Sequence, residues 1–492
     1  MSSEWPLLTL EEAGVRLIDC DHKTPKAREE GYPYVGIPQL KDGRIVLDGA
    51  RLISEEDFNQ WRRKAKPIDD DVILSRRCNP GESAYVPSGL EIALGQNLVL
   101  LRSDGVWVYP PFLRWVTQGP HWWSQVGKYL NVGAVFDSLK CADITKFEVF
   151  LPPIREQKKI ADILGGIDHK VLLNQQINQT LEQMAQAIFK SWFVDFEPVK
   201  AKIAARERWQ AHQSAQQPAS PVCYAAELEP ESVDPELETR MALAAMQAIS
   251  GKTEAQLARL QTEHPEHYAE LRATADLFPA AMQESEVGEI PAGWSCLALD
   301  EIAKYKNGLA LQKYRPENED DFLPVVKIAQ LKKGYADGEE KASPNINPEC
   351  IIDDGDVLFS WSGSLMVDTW CGGRAALNQH LFKVTSEKYP KWLYFHFTRH
   401  HLEEFQRIAA DKAVTMGHIK REHLKRALCA IPDSDTIAAA GKSLGSMLQQ
   451  QINLRLEAVT LSQLRDTLLP ELLSGEFTVP QSESTATEAV DA

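Results

Sequence analysis

Apolar residues recur at three- and four-residue intervals along two long stretches of the 492-residue chain. In the first, Ile160, Leu164, Ile167, Val171, Ile177, Leu181, Met184 and Ile188 keep that spacing. The pattern predicts a helix from about Arg155 to Phe193, with Asn174 in its seam. Pro152-Pro153 stands just ahead, where proline suits a helix start. In the second stretch, Ile437, Leu444, Leu448, Ile452, Leu456, Val459, Leu461, Leu464 and Leu468 predict a helix from about Thr436 to Leu469, ended or kinked by Pro470. Two readings fit. The helices are core elements of separate domains, or they pair as a coiled coil that holds two domains apart. A polar Asn in an apolar seam is a known way to fix register, and it favours pairing.

Ahead of each helix the period shortens. Asp71-Val72-Ile73-Leu74 and Leu98-Val99-Leu100-Leu101 read as strands between Gly, Pro and Asn punctuation. Asp356-Val357-Leu358-Phe359 and His380-Leu381-Phe382-Lys383-Val384 read the same way, and a helical stretch covers Trp392 to Gln406. The mixture predicts an α+β domain before each helix.

The chain is written twice. Gln39-Leu40-Lys41-Asp42-Gly43 recurs as Gln330-Leu331-Lys332-Lys333-Gly334, and Asp71 to Ser75 as Asp356 to Ser360. Ala93-Leu94-Gly95-Gln96-Asn97-Leu98 recurs as Ala376-Leu377-Asn378-Gln379-His380-Leu381. Leu139-Lys140-Cys141-Ala142 is matched to Leu424-Lys425-Arg426-Ala427, and Gln175 to Asn178 to Gln450 to Asn453. Matches in one order along the chain make an internal duplication. A solenoid is excluded by the length of the period.

The connection between copies, 197–290, is different. Gln210 to Pro221 is polar and loop-like, and Glu227 to Glu238 is an acidic run read as a solvated linker. Two short helical patterns follow, Leu237–Ile249 and Glu254–Ala275, with a capping-box pattern at Thr253 and Gln256. This segment holds 8 Lys and Arg against 16 Asp and Glu, so it carries −8 of the net charge of −17. The two large blocks are nearly neutral. They can bind a polyanion only if charge is segregated by face, and strong non-specific DNA binding by the isolated chain is not expected.

Catalytic signatures are near misses. Gly251-Lys252-Thr253 resembles the end of a phosphate loop, but Met246 occupies the place of its first glycine. Tyr109-Pro110-Pro111-Phe112 resembles an amino-methyltransferase loop with Tyr where the amine-bonding residue belongs. The eight cysteines form no C-x-x-C pair, and the histidines lack ligand spacing, so no metal site and reduced thiols are expected. Met1 to Pro6 has neither a basic stretch nor an apolar one, and no run approaches a membrane span, so a cytoplasmic protein is expected.

Several segments then point one way. Phe189-Lys190-Ser191-Trp192-Phe193-Val194-Asp195-Phe196-Glu197-Pro198 closes the first helix, and Glu286-Val287-Gly288-Glu289-Ile290-Pro291-Ala292-Gly293-Trp294 opens the second copy. Gly355 to Ser364, Leu377 to Val384 and Thr415-Met416-Gly417-His418-Ile419-Lys420 lie inside it. Together these resemble the specificity subunit of Type I restriction–modification systems, over nearly the whole chain except the insert. The resemblance implies two tandem target recognition domains separated by a pair of long antiparallel coiled-coil helices. It places the domains at 1–150 and 291–430 and the helices at 151–196 and 431–475. The insert is then 197–290, and 476–492 a disordered tail. It further implies double-stranded DNA as ligand, a bipartite asymmetric site with one half per domain, and no catalysis by this chain. Two modification subunits would use S-adenosylmethionine to methylate adenine N6, and two restriction subunits would use ATP and Mg. A helix of about 34 residues spans roughly 50 Å, enough to hold two reading heads one DNA turn apart.

Base readout favours Arg, Lys, Asn, Gln, Ser and Thr on loops. In the first domain the candidates are Lys41, Arg76, Arg77, Asn79, Gln96, Asn97, Asn131, Ser138 and Lys140, with Arg76 and Arg77 foremost. In the second they are Lys332, Lys333, Ser360, Trp361, Ser362, Asn378, Gln379, His380, Thr415, His418 and Lys420. The Trp192-Phe193-Phe196 cluster is expected to cap the helix pair and not to stack on bases. Three alternatives stay open: a duplicated protein-binding scaffold, a degenerate methyltransferase, and the recognition subunit of a system whose partner fuses methylation and cleavage.

Overall fold

The structure is a computed structural model that describes residues 5–21, 23–133, 136–216, 234–318, 320–411 and 417–476. It divides into two compact units, Met1–Leu172 with Thr460–Ala492, and Leu173–Val459. All but Glu476 of the tail expected at 476–492, most of the acidic run (227–233) and Thr415 lie outside the described residues.

Each unit is built on a four-stranded antiparallel sheet of the same order. In the first unit it runs Val15–Asp19, Leu98–Ser103, Val72–Ser75, Ser83–Tyr85. In the second it runs Lys304–Asn307, Leu381–Thr385, Val357–Ser360, Met366–Thr369. The central strands are buried on both faces, and their alternate residues feed two different cores. Val72, Leu74, Val99 and Leu101 pack with Phe112, Trp115 and Trp122. Ile73, Leu98 and Leu100 pack with Val35, Leu40 and Val86. A smaller sheet with one parallel pairing lies beyond, through Tyr34↔Ala93 in the first unit and Val325↔Ala376 in the second. In each unit a two-stranded ribbon pairs a strand from the start of the head with the unit's last strand, Leu7–Thr9 with Glu148–Phe150 and Ser295–Ala298 with Leu428–Ile431; in the second unit the hairpin Met282–Ser285 with Gly288–Pro291 precedes it. The duplication in the sequence is therefore a duplication of topology.

The first long helix runs Ile154–Phe193. The second begins with Ser434–Ala440, passes through a wider π turn at Gly441–Gly445, and continues as Ser446–Ser474. A Cβ at Gly441 or Gly445 would lie 3.1 or 3.3 Å from the Trp392 indole, so the two glycines let that ring lie against the turn. Of the two outcomes expected at Pro470, an end or a kink, the end does not occur, because the helix runs on to Ser474. Leu469 and Leu472 on either side of it are buried in the first unit's core with Ile160 and Leu164, and that burial outweighs the lost backbone bond. The pairing is antiparallel within the second unit, because Asn174 meets Leu454 and Glu457 while Asn178 meets Gln451.

Asn174 is 1% exposed, and its amide nitrogen donates to Glu457 Oε2 at 2.7 Å. Its Oδ1 is buried without a partner. Trp192, Phe193 and Phe196 are buried beside Phe278, Trp294 and Trp392, inside the second unit's core.

The insert differs from its sequence reading. Glu197–Gln216 is a helix, so residues 210–216 are not a loop. Its apolar faces are thin, which hid it from periodicity. Lys202 on this helix is 7% exposed and donates to Phe278 O at 2.5 Å. The second helical pattern is two helices, Glu254–Glu263 and Pro265–Asp276, because Pro265 starts a new one. The capping box at Thr253 and Gln256 forms, with Thr253 N donating to Gln256 Oε1 at 2.8 Å.

Candidate nucleic-acid interface

Three loops meet at one end of each central strand, wired alike in the two units. In the first unit Arg76 N donates to Asn97 O at 2.9 Å, and Leu139 N donates to Arg76 O at 2.9 Å. In the second, Trp361 N donates to His380 O at 3.4 Å, and Ile419 N donates to Trp361 O at 3.0 Å. Bridges Arg77↔Ser138 and Ser362↔His418 complete the pattern. This wiring corrects one repeat match. Leu139-Lys140 corresponds to Ile419-Lys420, five residues before the Leu424-Lys425 chosen from sequence, and Lys140 and Lys420 each precede a short helix. The sequence match fell on two helices with similar residues in different register.

The same backbone carries different side chains. Arg77 and Asn79 are exposed in the first unit, while Arg76 is turned back. Its side chain is 14% exposed and its guanidinium lies 3.8 Å from Asp19 Oδ1, with Nε buried and unpartnered. The two adjacent arginines thus face different surroundings, and Arg77 is the one presented to solvent. Cys78 adopts φ 66°, which sharpens the turn between Arg77 and Asn79. Gln96 donates to Thr24 Oγ1 at 2.6 Å, and Asn97 sits at φ 68°. Asn131 and Ser138 close a hairpin, with mutual backbone bonds of 2.9 and 3.0 Å.

In the second unit three candidates are turned inward, against expectation. Ser360, Ser362 and Asn378 are at most 4% exposed. The single Ser360 hydroxyl hydrogen is shared between the carbonyls of Ser364 at 2.9 Å and Ser362 at 3.1 Å, and Asn378 Oδ1 accepts from His380 N at 3.2 Å. Their short polar side chains satisfy backbone groups that the strand end leaves buried. Ser362 Oγ meets His380 Nδ1 at 3.0 Å, and His380 Nε2 meets Gln379 Nε2 at 3.3 Å. Trp361 Nε1 donates to Gln379 O at 3.2 Å, and its ring packs against His380 and His418. Where the first unit offers a guanidinium, the second offers an imidazole, an amide and an indole edge.

Lys41 sits outside this junction, on the hairpin Leu40–Lys41 with Arg44–Ile45. Lys332 and Lys333 end the helix Ile328–Lys333, with Lys333 3.4 Å from Asp337. Sequence reading missed Asp19 and Thr24, which hold Arg76 and Gln96, and Asp168. The last had a signal: an acid between Leu164 and Val171 in an apolar seam.

Two α+β heads with one loop junction apiece, joined to long antiparallel helices, define a duplicated recognition protein. The chain belongs to the Type I restriction modification DNA specificity domain family, which matches residues 18–183 and 291–470. It is 28% identical over 432 residues to the Type I restriction enzyme HindI specificity subunit of Haemophilus influenzae, covering 84% of this chain and 88% of that protein. It is 22% identical over 449 residues to the MjaIX specificity subunit of Methanocaldococcus jannaschii, covering 89% and 84%. Among solved structures, the Type I restriction–modification S subunit from M. genitalium aligns over 97% of each chain at 12% identity and a TM-score of 0.45. Among the described residues no helix is long and apolar enough to cross a membrane.

Proposed function

We propose that this chain is the DNA-recognition subunit of a Type I restriction–modification complex and performs no chemistry itself. Each unit's loop junction reads one half of a bipartite, asymmetric site in double-stranded DNA. Two modification subunits, carrying S-adenosylmethionine, methylate adenine N6 at the sites it selects. Two restriction subunits, using ATP and Mg, join the same complex in the cytoplasm. One observation carries the reading: the two junctions share their backbone bonds and differ in the side chains they present. That is what reading two different half-sites with one scaffold requires. The near-neutral heads fit a subunit that binds DNA firmly only when assembled with partners.

The test is to co-express the chain with its modification subunit in a methylation-free host and map adenine methylation. One bipartite motif is expected, lost when this chain is omitted and changed in only one half by Arg76→Ala with Arg77→Ala. No motif, with the methyltransferase shown active, would favour a duplicated protein-binding scaffold, a reading that the net charge of −17 supports.

A further inference from the structure

Asp168 stands on the first long helix, facing guanidinium groups from three separate elements of the first unit. Its carboxylate is 5% exposed. Arg44, from the hairpin beside the sheet, donates to Oδ1 at 2.5 Å, to Oδ2 at 3.3 Å and to the Asp168 carbonyl at 3.1 Å. Arg114, on the helix Pro110–Val116, pairs with Oδ2 and lies 3.7 Å over the Tyr85 ring. Arg465, from the second long helix, donates to Oδ1 at 3.0 Å. Burial alone would raise the Asp168 pKa, but the Arg44 hydrogen bond and the Arg114 charge outweigh it and hold the carboxyl below its ordinary range.

A single carboxylate thus joins the head, the helix that carries it and the second helix. Its bonds are charge-assisted, and Arg44 grips it in a fork, so the geometry is directional and not merely cohesive. The second unit has a lock of opposite polarity. There Arg455, on the second long helix, donates to Asp368 at 2.7 and 3.1 Å and to Thr369, on the strand Met366–Thr369 of the head. Buried ion pairs add little net stability over apolar packing, and their best-attested use is to fix register.

We propose that Asp168 is a positioning residue: it fixes the angle of the first reading head on its helix pair, and through it the spacer length accepted between the half-sites. This rests on the recognition reading above. The Asp168 carboxylate is buried under three guanidinium groups and not presented to solvent, so its loss changes the spacing and not the letters of the motif.

The test is methylation mapping of the full chain, co-expressed with its modification subunit, as wild type, Asp168→Asn and Arg44→Met. Wild type is expected to give one spacer length. Both variants are expected to keep the two half-sequences and to methylate sites one base pair longer or shorter at least tenfold more often than wild type. Arg44 is 22% exposed, so its variant carries the test if Asp168→Asn does not accumulate as folded protein. A single unchanged spacer, with methylation either intact or uniformly reduced, overturns the proposal, because that is the signature of a merely structural residue. A changed first half-sequence overturns it as well. If wild type itself gives no bipartite motif, the recognition reading fails instead.

Discussion

Arg77→Ala removes an exposed guanidinium from the first junction while leaving its backbone bonds in place. An arginine that donates two bonds to a guanine edge discriminates against other bases by about 1–3 kcal/mol. That is roughly 5- to 150-fold in binding. Arg76→Ala is the matched control one residue away. Arg76 is turned to Asp19, 14% exposed, and Asp19 also lies 3.7 Å from Lys64, so its loss costs stability and not readout. The assay is methylation mapping together with binding of the assembled complex to duplexes substituted at each position of each half-site. Arg77→Ala should relax one guanine position of one half-site by that factor and leave the other half untouched. Arg76→Ala should lower the melting temperature without altering the motif. Relaxation by Arg76→Ala alone, or equal weakening of both half-sites by Arg77→Ala, would refute the assignment.

Asn174→Leu should be neutral or stabilise the chain by up to about 1 kcal/mol, because Oδ1 is buried unpartnered; a loss above about 2 kcal/mol on denaturant unfolding would contradict this. Burial pushes His396 down to about 3 and His401 down to about 4, below the value of about 6.5 they take when unfolded. Their contribution is therefore full above about pH 6.5 and lost as pH falls towards 4, and His396→Phe should flatten that slope of melting temperature against pH. Asp168 acts lower: its carboxyl is held below the ordinary range, so its stabilisation is present above about pH 4 and lost below it, a step that Asp168→Asn should remove. A Cβ at Gly308 would meet the carbonyl oxygens of Leu377 and Asn378, so Gly308→Ala should cost about 1–3 kcal/mol through a forced backbone shift, read by calorimetry.

What the sequence determined by itself was whatever repeats or has a period. Three- and four-residue spacing placed the long helix to within a residue of Ile154–Phe193, and the duplicated Asp71–Ser75 and Asp356–Ser360 segments marked the central strands of two equal sheets. Those signals are local, because burial on one face imposes its period on the chain wherever the partner lies. The tertiary structure decided the rest. Arg76 and Arg77 are neighbours of one chemistry, and only Asp19, 57 or more residues away in sequence, separates their roles. Ser360 and Asn378 look like loop donors in sequence and are buried in fact, because the strand end leaves carbonyl and amide groups that they must satisfy. Pro470 reads as a helix end or a kink, and the core around Leu469 and Leu472 carries the helix past it. Asp168 gathers arginines from positions 44, 114 and 465, an arrangement set by three-dimensional proximity alone, which no window along the chain contains.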